Sequence, residues 1–156
     1  MLNNTGFKLY EKMIGTHEFV SNDYPSVRYP FSFHINWKVN SIINFFKPKT
    51  DDFLLGEVEG VINIGGLADN IPLTGTMELR YFKDRKIRYT LFFTFDGKPY
   101  KFVGEKVNIK LANLVTSHTT CFGTIINVDT LELISRSVTH FRMRDSAKFL
   151  SSFRLI

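Results

Sequence analysis

Hydrophobic and polar residues alternate most regularly along residues 77–104, which read MELRYFKDRKIRYTLFFTFDGKPYKFVG. In the middle run every second residue is apolar, and the residues between them are mostly polar. The apolar positions are Ile87, Tyr89, Leu91, Phe93 and Phe95. Successive side chains of a strand point to opposite faces, so this pattern predicts a strand with one buried and one solvated side. Asp96 and Gly97 follow the run and predict a two-residue hairpin turn, because both tolerate positive φ. We therefore expect residues 77–104 to form an antiparallel meander.

The same alternation occurs earlier in the chain. Residues 31–39, FSFHINWKV, place Phe33 and Trp37 on an apolar face. This pattern predicts a half-buried antiparallel strand. Residues 53–64 also favour a strand, and Gly60 inside that run predicts a bend or bulge.

Short segments between these runs predict a helix and loops. Asn40 and Ser41 offer a helix cap before IINFF, where one or two helical turns would pack through Ile42, Phe45 and Phe46. A second short helix is expected over residues 146–152.

Two segments rich in turn-forming residues predict loops. One covers residues 15–30, and the other contains Asn70 and Pro72 before the meander opens at Gly75.

Further strands are expected over residues 7–14, 122–128, 137–143 and 153–156. Many strands joined by short turns, with almost no helix, are typical of an antiparallel barrel or sandwich. A closed up-and-down barrel leaves no exposed edges and suits this length. The sequence therefore predicts an all-β fold: a single antiparallel, calycin or lipocalin-like β-barrel with one or two short helices. We expect residues 1–156 to form one domain.

The composition raises the question of a ligand cavity and argues against several classes of protein. The chain has 16 Phe among 156 residues, and Phe serves both in pleated cores and in the lining of apolar cavities. The net charge is +5, but the basic clusters fall at expected turns and helix ends, so no nucleic-acid partner is predicted. The chain shows no secretory signal and no run of about twenty apolar residues, so we expect a cytoplasmic protein without a transmembrane segment.

The search for catalytic and metal-binding motifs gives little. GxGxxG, GxxxxGK[ST], HExxH and GxSxG are all absent, and the four histidines show no metal-ligand spacing, so neither a cofactor nor a metal is predicted. Residues 117–121, SHTTC, hold the densest reactive groups, although a structural role for His118 and Cys121 at a strand start is favoured. Arg142, Arg144 and Arg154 are candidates for a carboxylate clamp.

A series of short motifs resembles the β domain of cholesterol-oxidase-like flavoenzymes of the glucose–methanol–choline type. The matching segments are residues 75–79, 85–89, 96–100, 104–106 and 119–120. In that family this part is a β module without flavin, similar to calycin barrels. The chain has no flavin-binding portion, so the resemblance implies no oxidase activity. It implies a free-standing barrel with a preference for lipid-like or isoprenoid ligands.

The leading functional hypothesis is non-catalytic binding of a small apolar ligand, lipid-, sterol- or isoprenoid-like, inside the barrel. The proposed lining is Phe33, Trp37, Tyr89, Phe93 and Phe95, with His118 or an arginine such as Arg142 meeting a polar head group. One alternative is a cofactor-free isomerase or cyclase that uses His118 and Glu105 in proton transfer. Another is an accessory module that docks a separate oxidoreductase chain. The pattern leaves open whether the interior is hollow, what the ligand is and which oligomer forms.

Overall fold

The computed structural model of the chain describes residues 5–51, 53–80, 84–107, 120–141 and 154–156. Within these ranges lie nine strands and one helix. The elements are β1 (Phe7–Phe19), β2 (Tyr29–Val39), α1 (Ile42–Phe46), β3 (Leu55–Ile64), β4 (Ala68–Arg80), β5 (Lys86–Phe95), β6 (Lys98–Lys106), β7 (Thr120–Asn127), β8 (Leu133–His140) and β9 (Arg154–Leu155).

The sheet closes on itself through β1. Consecutive strands from β2 to β8 pair antiparallel with one another. β1 pairs with β2 through residues 7–17 and with β8 through residues 14–19, which closes an eight-stranded barrel. The short β9 lies beside residues 7–8 of β1. The predicted antiparallel β-barrel is therefore confirmed, and closure leaves no long unpaired edge among these eight strands.

The alternation in the sequence corresponds to the inside and outside of the barrel. Phe31, Phe33 and Ile35 of β2 are buried, whereas the intervening Ser32 and His34 are partly exposed. The predicted hairpin between β5 and β6 is also confirmed. Its turn residues Asp96 and Gly97 have φ angles of 51° and 71°, the left-handed conformation that a two-residue turn requires.

Helix α1 packs against one end of the barrel through Phe45 and the partly buried Ile42. Ser41 Oγ accepts a hydrogen bond from the Asn44 N–H at 3.3 Å, which confirms the predicted cap. Phe45 is buried in a second apolar cluster, formed with Phe7, Leu9, Val39 and Leu54. The expectation that Phe46 packs inward is wrong: the helix is one turn long, and Phe46 lies 60% exposed.

The expected second helix over residues 146–152 lies outside the described residues. No helix in the described ranges combines the length and hydropathy needed to cross a lipid bilayer.

One predicted loop is shortened to residues 20–28 by the flanking strands, and the other belongs to a strand. β1 continues to Phe19, because His17 and Phe19 keep the inward phase after Gly15. The segment with Asn70 and Pro72 lies inside β4. Asn70 adopts a φ of 53°, and its N–H donates to Asn63 Oδ1 at 2.8 Å, so a side chain supports the backbone there.

The bulge expected near Gly60 occurs a few residues later in β3. The register between β3 and β4 shifts between Ile62 and Ile64. Gly60 has a different role, because a Cβ there would lie 2.0 Å from the His34 carbonyl oxygen. Gly60 therefore permits close approach of β2.

Aromatic rings fill the centre of the barrel. The Phe102 ring lies 5.5 Å from that of Phe31 and 5.4 Å from that of Phe33, between ring centroids. Gly104 and Gly123 face each other across β6 and β7, and the Phe102 ring occupies the space that their side chains would take. Two inward glycines therefore make room for one large ring.

Substitution of Gly104 by alanine is expected to destabilise the barrel. The added Cβ would lie 2.6 Å from two Phe102 ring carbons and 2.8 Å from Cys121 Sγ. Overpacking of this kind costs about 1–3 kcal/mol, measured as the free energy of unfolding in urea. Gly56→Ala is the matched control, since its Cβ would meet neighbours at ordinary distances of 3.5–3.6 Å. Equal losses of stability in the two variants would contradict this account of Gly104.

Candidate functional site

A carboxylate lies inside the barrel where the strand pattern calls for an apolar residue. Glu11 follows Leu9 and precedes Met13 in the inward phase of β1, and it is 5% exposed. A buried carboxylate is costly unless it is paired and hydrogen-bonded. Its partners therefore define the chemistry of this region.

Two side chains from the opposite wall satisfy Glu11. Tyr89 of β5 donates its hydroxyl to the carboxylate, with distances of 2.9 and 3.0 Å to the two oxygens. Lys106, the last residue of β6, donates from Nζ to Glu11 Oε1 and forms a buried ion pair. We call Glu11, Tyr89 and Lys106 the interior triad.

Aromatic rings surround the cation of the interior triad. Lys106 Nζ lies 5.4 Å from the Tyr89 ring centroid and 5.8 Å from that of Phe141, within the range of cation–π attraction. Burial, followed by the negative charge of Glu11, raises the pKa of Tyr89 well above its usual value. Tyr89 is therefore a neutral hydrogen-bond donor at physiological pH.

Small polar side chains continue from Lys106 across the next two strands. Lys106 lies opposite Cys121 of β7, and Cys121 lies opposite Thr139 of β8. Burial raises the pKa of Cys121 to about 12, so its sulfur stays a thiol and is a poor nucleophile. Ser137 is the next inward residue of β8, and it is also buried.

Two buried hydroxyls of β8 face inward, across β7 from Lys106. Ser137 Oγ has no hydrogen-bond partner within the described ranges, and Thr139 Oγ1 has at most a weak one, the Cys121 thiol. A buried hydroxyl without a good partner costs about 1–3 kcal/mol. Both groups therefore retain hydrogen-bonding capacity for a ligand.

The predicted aromatic lining lies in or against the main core. Phe33, Tyr89 and Phe93 are buried, and Trp37 and Phe95 are partly buried against the same cluster. The rings contact one another: Phe33 lies 5.6 Å from Tyr89, and Phe93 stacks on Tyr100 at 5.4 Å. Of the five, Tyr89 is the one that hydrogen-bonds to Glu11.

Glu105, the residue proposed from the sequence for proton transfer, is not brought to the interior triad. Glu105 occupies the outward phase of β6, where it accepts from Arg88 Nη2 at 3.0 Å and lies 3.9 Å from Lys86 Nζ. His118 and Arg142 lie outside the described residues. Among the described residues, no group of three or more histidine, cysteine or carboxylate side chains is arranged to hold a metal ion.

Sequence reasoning missed Glu11 and Lys106. Each is a charge in an otherwise apolar strand phase: Glu11 between Leu9 and Met13, and Lys106 after Phe102 and Gly104. Opposite charges at two positions expected to face inward are the sequence feature that would have predicted this ion pair.

His17 forms a second buried polar contact, toward the end of β1. Its Nε2 donates to the Gly65 carbonyl at 2.7 Å, which leaves Nδ1 to accept from the Ser135 hydroxyl at 2.7 Å. Burial lowers the pKa of His17, so the imidazole is neutral at physiological pH. This contact ties β1 to β8 and to the turn between β3 and β4.

The chain shows no significant match to a family model, a curated protein or a solved structure. The sequence patterns that resemble the flavoenzyme β domain therefore gain no support from these comparisons.

A double-mutant cycle is expected to show strong coupling between Glu11 and Lys106. Lys106→Met leaves a buried carboxylate without its cation and is expected to cost about 3–5 kcal/mol of unfolding free energy. Adding Glu11→Gln removes that charge but keeps an acceptor for Tyr89. The double variant should therefore lose less than the sum of the two single variants, by at least about 1 kcal/mol in urea unfolding at neutral pH. Additive losses would argue against the pair.

Lys12→Met is the control for this cycle. Lys12 lies on the outer phase of the same strand as Glu11, and its loss should change stability by less than about 0.5 kcal/mol.

Acidification is expected to destabilise the barrel through His17. The folded state lowers the pKa of His17 below the value of the unfolded chain, so the unfolded state binds more protons as the pH falls. The stabilising contribution is present above about pH 6.5 and is lost as the pH falls through the folded pKa. The unfolding free energy should therefore decrease between about pH 7.5 and about pH 5.5, and His17→Gln should flatten this dependence. An unchanged pH dependence in His17→Gln would contradict this assignment.

Proposed function

We propose that the barrel binds a small ligand with an apolar body and a polar head group, and that the head group bonds to the interior triad and the adjacent hydroxyls. The observation that carries the proposal is the pair of buried hydroxyls of β8, Ser137 and Thr139, which lack a strong hydrogen-bond partner and lie across β7 from Lys106 of the buried ion pair. Eight-stranded barrels of this size either hold one small ligand or are filled by side chains.

The expected head group both accepts and donates hydrogen bonds. Lys106 offers ammonium protons, whereas the two hydroxyls of β8 donate or accept as they rotate. The charges of Glu11 and Lys106 already balance, so a neutral head group avoids a new buried charge. A hydroxyl or carbonyl on a lipid-, sterol- or isoprenoid-like body meets these conditions.

The apolar body would lie among the rings of Phe31, Phe33 and Phe102. These rings contact one another, so binding requires them to move apart by changes of rotamer. Dense packing of these rings limits the size of a ligand that can enter the barrel. A small apolar ligand therefore fits the proposal better than a bulky one.

Removal of the two hydroxyls is expected to separate binding from stability. The variant Ser137→Ala with Thr139→Val no longer buries unpaired hydroxyls, so its unfolding free energy should equal or exceed that of the native chain. Its affinity for sterol, isoprenol or fatty-alcohol probes should fall about tenfold, the loss of one or two hydrogen bonds. Titration by native mass spectrometry measures the bound fraction, and urea unfolding measures stability.

Thr94→Val is the matched control, because Thr94 lies on the outer face of β5 and is exposed.

Protein purified gently from its own host should carry an extra mass of a few hundred daltons that disappears on denaturation. A bare mass from the host together with no saturable probe binding would overturn the proposal. Equal affinity in the native chain and the double variant would overturn the assigned head-group site.

A further inference from the structure

A groove runs along the outside of the barrel across β1, β8, β7 and β6. Its volume is about 740 Å³, within the usual range of small-molecule sites. Apolar side chains of the lining come from three strands: Val103, Phe122 and Val138. The charged or titratable lining residues on the outer face are Glu18, Arg28, Glu105, Arg136 and His140.

The floor of the groove is unusually apolar for a solvated sheet face. Phe122 and Val138 lie directly opposite each other on β7 and β8, and they are 52% and 37% exposed. Both occupy the outward phase, between the inward residues that adjoin the interior triad. An exposed aromatic and aliphatic pair inside a concave surface is typical of a binding site.

The charges around this floor leave one cation without an ion pair. Glu18 accepts from Arg28 at 3.2 Å, and Glu105 is engaged by Arg88 and Lys86. His140 contacts Thr120 through Nδ1 at 3.1 Å. Arg136 is exposed and lies opposite Glu18 of β1 in the sheet, but Glu18 is paired with Arg28, and Arg136 makes no ion pair within the part of the chain that the structure describes. The groove therefore offers a guanidinium beside an apolar floor.

We propose that this groove binds a small amphipathic anion, with its apolar body on Phe122 and Val138 and its carboxylate or related acid group at Arg136. Guanidinium is well suited to a planar anion because it donates two parallel hydrogen bonds. A second copy of the chain is a poorer occupant, since a two-fold contact would place one concave groove against another and leave it unfilled. The site is separate from the interior, because Phe122 and Arg136 point away from it.

Two dyes with the same aromatic body test this assignment. Anilinonaphthalene sulfonate is anionic, and phenylnaphthylamine is its neutral counterpart. We expect saturable fluorescence with the anionic dye and at least about tenfold weaker binding of the neutral one, because a charge-assisted hydrogen bond is worth roughly this factor. Arg136→Gln should bring the affinity for the anionic dye down to that of the neutral dye. Phe122→Ser should weaken both dyes.

Two controls distinguish binding in the groove from attraction by net charge and from binding inside the barrel. Lys98→Gln removes one positive charge at the exposed start of β6 and should change neither affinity by more than about twofold, since isolated exposed charges contribute little. Thr139→Val, which changes an inward residue outside the groove lining, should also leave dye binding unchanged, so failure of the interior site does not mimic failure of the groove.

The proposal is overturned by any of three results. The first is no saturable binding of the anionic dye. The second is an equal effect of Arg136→Gln and Lys98→Gln, which would indicate net charge alone. The third is dye binding that is lost in Thr139→Val but kept in Phe122→Ser, which would place the dye inside the barrel.

Discussion

Closure of the sheet through β1 is the constraint on which the rest of the structure depends. Because β1 pairs with both β2 and β8, each of the eight strands has an inside and an outside, and every second residue must fit the interior. The aromatic residues meet this demand by packing on one another, with Gly104 and Gly123 yielding space to Phe102. A polar residue in the inward phase has little access to bulk water, so its partner must come from another inward side chain or from the backbone, as for Glu11 and His17.

The ion pair between Glu11 and Lys106 is the main exception to an apolar interior. A buried pair seldom adds net stability relative to apolar residues of similar size, because both charges lose their hydration. The surrounding groups limit this cost: Tyr89 donates to the carboxylate, and two rings face the ammonium group. Such a pair defines one arrangement of β1 against β6, since neither charge tolerates separation from the other. It also gives the interior a fixed dipole to which a polar head group would orient.

The sequence was sufficient for the strands and turns but insufficient for the polar interior. Period-two alternation predicted β2 and β5, and local chemistry predicted the turn at Asp96 and Gly97 and the cap at Ser41. Local chemistry failed at Asn70 and Pro72, because support from Asn63 on the neighbouring strand allows β4 to continue through them. Glu11 and Lys106 are 95 residues apart, so their pairing depends on a register that no local pattern contains.

Strand β7 contributes side chains both to the proposed groove and to the interior of the barrel. Along β7, Cys121 and Gly123 face inward and Phe122 faces outward, so a register slip of one residue would exchange the two surfaces. Inward residues oppose such a slip: Gly123 would no longer lie under the Phe102 ring, and a bulky side chain would take its place. Packing against Phe102 thus determines which side chains of β7 reach solvent. Because adjacent residues serve opposite faces, the interior and the groove can change independently as long as this register holds.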